Sequence, residues 1–136
     1  MGGAFPGDRF GNALYENPGF GNHWIAVKLA GTRSNRAAIG ARIRAVVVEG
    51  GAERSIYRHV NSGGSFGGNP LRQTIGLGAA TKIERLEIFW PASGRTQSFV
   101  DVPADQAIRI VEGEGSWTRL ELEPLRLAAA AVDTLR

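Results

Sequence analysis

Apolar and polar residues alternate along much of this chain at the two-residue period of a half-buried β-strand. Between His23 and Ala30, Ile25, Val27 and Leu29 share one face while Trp24, Ala26 and Lys28 share the other. The polar stretch Gly31-Thr32-Arg33-Ser34-Asn35-Arg36 ends that run with residues that accept positive φ or bond to their own backbone. Strand character returns from Ile39 through Ile43, Val46, Val47 and Val48, so residues 22–48 read as strand, tight loop and strand, an opening hairpin. Glu49-Gly50-Gly51-Ala52 predicts a tighter turn, because two glycines supply the positive φ angles of a short hairpin. Further strands are predicted over residues 54–60, 71–77, 83–90, 95–100 and 107–112, with Leu86, Ile88 and Trp90 on a common face. Between the last three lie Pro91-Ala92-Ser93-Gly94, where Pro fixes φ and Gly takes the left-handed region, and the segment 101–105.

About seven to eight short strands with a turn signal after each predict an all-β fold, an antiparallel β-sandwich. The tail has a different rhythm. Residues 117–122 can extend as a strand, Pro124 suits the first turn of a helix, and Leu125, Ala128, Ala129, Val132 and Leu135 recur at helical spacing. A short C-terminal helix is therefore expected.

The order of motifs carries a family resemblance. Asn22-His23-Trp24, Gly31-Thr32, Ser34-Asn35-Arg36 and Ile39-Gly40-Ala41-Arg42 are followed by Ile75-Gly76-Leu77-Gly78. Ile83 through Trp90-Pro91, Ser93-Gly94 and Val102-Pro103-Ala104 complete the set. Over roughly residues 22–112 the chain resembles the ASPIC/UnbV domain, the module that follows FG-GAP/VCBS propeller repeats in proteins similar to cartilage acidic protein. That resemblance implies an extracytoplasmic setting and a non-catalytic recognition or adhesion module binding carbohydrate, matrix or protein partners. It implies calcium only through a propeller, whose Asp-rich loop pattern this chain lacks, and no other cofactor. Residues 12–17 resemble the closing strand of a propeller's last repeat. The expected organisation is thus a connector over 1–21, a sandwich over 22–116 and an extension over 117–136, making the chain the C-terminal piece of a longer protein or a stand-alone relic of one.

Composition narrows the alternatives. Glycine, at 19 residues, sits mainly between hydrophobic runs and supports many turns. With no cysteine there is no disulfide framework and no thiolate metal site. No apolar run approaches the ~20 residues that span a bilayer, so no membrane span is expected. The first ten residues hold no apolar signal core. The net charge of +3 comes from arginines scattered over every segment rather than from one face or arm, which excludes the usual footprint of a nucleic-acid binder.

The catalytic, metal-binding and dinucleotide patterns fail on context. Gly63-Gly64-Ser65-Phe66-Gly67 matches G-x-S-x-G, but a nucleophile elbow needs a helix after the serine, and here Gly68-Asn69-Pro70 and a strand follow. His23 and His59 are the only histidines, and neither stands at a spacing that makes a triad with Asp101 or Asp105. Two distant histidines without cysteine do not make a zinc site, and Asp101 with Asp105 is a poor calcium loop. Gly76-Leu77-Gly78 lacks the third glycine and the βαβ context of a dinucleotide loop. No catalytic residue and no metal ligand is assigned.

What remains is recognition on loops held by a rigid scaffold. Arg33, Ser34, Asn35 and Arg36 offer guanidinium forks and amides suited to a glycan or an anion, unless Arg36 is tied to a carboxylate such as Glu84 or Glu87. His59 precedes the glycine-rich loop 61–70, where Ser65, Phe66 and Asn69 offer hydroxyl, aromatic face and amide. These eight residues are the candidate ligand-binding set. Two other functions compete: an accessory domain of an enzyme of the natural-product type, and a self-assembling subunit that associates through residues 12–17 and 124–136.

Overall fold

The computed structural model describes residues 17–64 and 67–123. Its strands are β1 (His23–Ala30), β2 (Arg42–Glu49), β3 (Ala52–His59), β4 (Gly63–Gly64), β5 (Gly67–Gly68), β6 (Gln73–Gly78), β7 (Lys82–Trp90), β8 (Arg95–Pro103), β9 (Gln106–Val111) and β10 (Trp117–Leu120). One sheet runs β10-β9-β1-β6 and the other β3-β2-β7-β8, while β4 and β5 form a small ribbon at one end. The fold is an all-β sandwich, without a helix among the described residues. The expected C-terminal helix and most of the 12–17 strand fall outside those residues.

Alternation in the sequence becomes two facing layers. From the first sheet, Ile25, Val27, Leu29, Ile75, Leu77, Ile108 and Ile110 point into one buried cluster. From the second, Ile43, Ala45, Val47, Ile83, Leu86, Ile88, Trp90, Phe99 and Val102 meet them. Burying each large aliphatic side chain contributes about 1.5–3 kcal/mol, so this interface is the main stabilising element of the fold. The two glycine turns form as their chemistry requires. Gly50 and Gly51 have φ of 60° and 83° at the β2–β3 hairpin, and Gly94 has φ of 66° after Pro91.

The opening hairpin does not form. Both edges of β1 are occupied, by β6 on one side and β9 on the other, and β2 pairs with β3 and β7 in the opposite sheet. Residues 31–41 therefore carry the chain across the sandwich. A polar segment between two strands reads the same whether it turns back in one sheet or crosses to the next, because alternation assigns faces and not partners. The β1–β9 pairing is also parallel, the exception among ladders that are otherwise antiparallel in the described residues. A parallel neighbour requires a long connection, and here the whole second sheet supplies it.

The β7–β8 ladder turns over midway. Ile83 and Leu86 both point inward although they are three residues apart, as do Val102 and Phe99 opposite them. Asp101, at φ 50°, absorbs the irregularity, and Lys82 bridges Glu84 at 3.0 Å and Asp101 at 2.5 Å on the outside.

Candidate functional site

The crossover loop is built around a carboxylate from the far end of the chain. Glu112 follows β9, and its amide donates to the Ala30 carbonyl at 2.9 Å, which sets its side chain beneath residues 32–34. Oε2 accepts the backbone N–H of Thr32 (2.9 Å), Arg33 (2.9 Å) and Ser34 (2.7 Å). Oε1 accepts the hydroxyls of Ser34 (3.0 Å) and Ser93 (2.7 Å), and the Thr32 hydroxyl donates to the Glu112 carbonyl at 3.1 Å. Three consecutive amides converging on one oxygen make an anion nest. Glu112 is only 6% exposed. Burial alone would raise its pKa; the Ser93 hydroxyl and the amides of Ser34, Thr32 and Arg33 outweigh that and bring it from 4.5 to about 2. The carboxylate is ionised throughout the neutral range.

This arrangement divides the predicted loop residues. Ser34 is buried and spent on Glu112. Asn35 closes the next turn, its Nδ2 donating to the Ile39 carbonyl at 2.7 Å and its Oδ1 accepting the Ile39 N–H at 2.9 Å. Arg33 and Arg36 are exposed, and neither guanidinium enters an ion pair among the described residues. The carboxylates considered for Arg36 are engaged elsewhere: Glu87 with Arg44 and Arg85, Glu84 with Lys82.

Asn69 is a staple for the small ribbon, with Nδ2 donating to Asn61 Oδ1 at 2.5 Å and to the Gly63 carbonyl. Ser65 and Phe66 lie outside the described residues. His23 Nδ1 is 2.6 Å from Asp105 Oδ2, and Asp105 also accepts the Trp24 N–H, joining the start of β1 to the turn before β9. Hydrogen bonding to His23 first, and to Trp24 after it, holds the Asp105 carboxyl below its ordinary range against the opposing effect of burial. Among the described residues no three His, Cys, Asp or Glu side chains cluster as metal ligands.

His59 ends β3, and the register places it on a surface that sequence reasoning missed. Across the outer face of the second sheet, His59, Arg42, Phe89 and Thr96 form one row, and Tyr57, Arg44, Glu87 and Ser98 the next. Arg42 stacks over the Phe89 ring at 4.4 Å, and Arg44 stands 6.0 Å from the Tyr57 ring. Arg44 is fixed by Ser55 (3.2 Å) and Glu87 (3.2 Å). Between the rows lies a shallow groove of about 240 Å³. Alternation puts these residues on the polar face, but only the register makes them neighbours. Loop 31–36 and this groove are separate features.

Fold and site together define a β-sandwich domain, with candidate binding groups on a loop and a sheet face. The chain belongs to the family described as ASPIC and UnbV, whose model matches residues 31–116. That is a non-catalytic type of domain. Comparison with curated proteins and with solved structures returned no match. No helix among the described residues is long and apolar enough to cross a membrane.

Proposed function

We propose that this domain is a non-catalytic recognition module that binds carbohydrate on the outer face of the β3-β2-β7-β8 sheet. The proposal places it outside the cytoplasm, next to an FG-GAP/VCBS propeller that holds whatever calcium the whole architecture uses. The observation that carries the reading is the pairing of arginines with aromatic rings around the groove. Tyr57 is 63% exposed, so its ring is open to a ligand lying on the groove. A sugar ring presents C–H bonds to an aromatic face and hydroxyls to charged side chains. Arg44 and Glu87, already held by each other, supply a fixed donor and acceptor beside Tyr57. Such preorganised groups lose little freedom on binding.

The test is a glycan array followed by titration calorimetry, using the wild-type domain and Tyr57→Ala. Tyr57 is exposed and outside the core cluster, so its removal leaves the fold intact. The expected result is a glycan bound by the wild type and weakened about tenfold or more in the variant, as a stacking contact of ~1.5 kcal/mol implies. An unchanged affinity in Tyr57→Ala, or retention of a protein partner in place of any glycan, would overturn the proposal.

A further inference from the structure

Around the β7–β8 turn from the outer groove lies a second hollow of about 260 Å³, lined by Arg33, Trp90, Arg95, Thr96 and Glu112 among others. The indole of Trp90 is fully buried, and its Nε1 finds no acceptor in the described residues. Buried indole N–H groups ordinarily have a partner, and an orphan is rare enough to require a cause.

The remaining polar groups of the hollow divide sharply into spent and unspent. Glu112 is saturated by three amides and two hydroxyls, and Ser93 is one of those hydroxyl donors. Gln97 is locked at both ends, its Nε2 on the carbonyls of Val111 and Glu114 and its Oε1 on the Gly113 amide. Left over are the Trp90 N–H and the guanidinium groups of Arg33 and Arg95, neither of which enters an ion pair among the described residues. All three are donors. The Thr96 hydroxyl can serve as either. A ligand that matches this set brings acceptors and negative charge, and two cations against one amide-wrapped carboxylate leave the hollow with a positive surplus.

We propose that this hollow binds the acidic group, carboxylate or sulfate ester, of an anionic sugar. Arg33 and Arg95 hold its oxygens as charge-assisted donors, against a wall that includes the buried Trp90 indole. The proposal rests on the preceding reading only in taking the ligand to be a glycan. Thr96 lines both hollows, so a chain lying on the outer groove reaches this one without a break.

The test follows the indole N–H resonances of ¹⁵N-labelled protein. Trp24 and Trp117 serve as internal controls, because neither lines this hollow. Glucuronate, inorganic sulfate and glucose are titrated into the wild type, Arg33→Gln, Arg95→Gln and Tyr57→Ala. The expected outcome is a saturable shift of the Trp90 resonance with glucuronate, sulfate or both, and none with glucose. The shift weakens about tenfold or more in each arginine variant. Which of the two anions binds identifies carboxylate or sulfate as the natural group.

Equal response to glucose would overturn the proposal in favour of a neutral polyol site. A Trp90 resonance that moves with no probe would overturn it in favour of ordinary hydration of the indole. Shifts unchanged in the arginine variants would overturn it as well. Tyr57→Ala separates the two readings: an intact Trp90 shift together with a glycan affinity unchanged from the wild type supports this hollow while the outer-face reading fails.

Discussion

Replacing Glu112 with glutamine removes one charge and keeps the shape of the side chain. The glutamine carbonyl can turn toward the amides of Thr32, Arg33 and Ser34, and its NH₂ toward the hydroxyls of Ser34 and Ser93, which can rotate to accept. The variant thus isolates the charge. In the wild type the carboxyl titrates at about 2 in place of 4.5, some two to three pH units at ~1.4 kcal/mol each, or about 3 kcal/mol of stability at neutral pH. Because the folded-state pKa is the lower one, this contribution is complete above pH 4.5 and fades as pH falls toward 2. Urea denaturation of wild type and Glu112→Gln at neutral pH should therefore differ by about 3 kcal/mol, with the gap narrowing steadily in acid. Amide exchange at Thr32, Arg33 and Ser34 should accelerate in the variant. A neutral-pH difference below ~0.5 kcal/mol, or one that ignores pH, would refute the role assigned to this carboxylate.

Substitutions at two other positions test further elements of the fold. A Cβ on Gly31 would overlap the backbone carbonyls of Ser34 and Asn35, which a rotamer change cannot relieve, so Gly31→Ala should cost about 2 kcal/mol or more in denaturant titrations and loosen the nest. Asp105 sits at φ 57°, so Asp105→Asn, which tolerates that conformation and keeps an acceptor for Trp24, should lose under ~1 kcal/mol, whereas Asp105→Val should lose about 2. The part of the Asp105 contribution that comes from its ionised form is small, since the side chain is half exposed, and it disappears as pH falls below 3.8.

The sandwich was legible because its strands alternate cleanly and its turns use residues with a local mechanism. Gly50-Gly51 and Pro91 to Gly94 carry their geometry in their own side chains, or in the lack of one. The exchange of partners was not legible. His23–Ala30 shows which residues face the core, yet nothing in its pattern selects β6 and β9 over β2. The outer-face rows failed to appear for the same reason: Arg42, Tyr57 and Phe89 are each ordinary polar-face residues until register sets them side by side. Glu112 left the faintest trace. It precedes Gly113 and reads as an acid at a turn, while its amide partners lie 78 to 80 residues earlier. The polarity of loop 31–36 was visible, and the anion it wraps was not.

That hidden anion bears on what the loop can recognise. A loop with three convergent amides would by itself be a receptor for a free carboxylate or phosphate. Here the chain supplies its own carboxylate at 2.7–2.9 Å, so the amides are spent and an external anion cannot use them. The same bonds fix the backbone of Arg33 and leave its guanidinium exposed. The ordering cost of the loop is met during folding rather than at binding, which favours affinity for any partner that needs only the arginine. Glu112 is thus a positioning residue for Arg33. Gly31→Ala, which loosens the nest and leaves its charge in place, should lose stability and weaken the response of Trp90 to acidic sugars together, while Ser93→Ala, which removes one hydroxyl and no amide, should move both by a smaller amount.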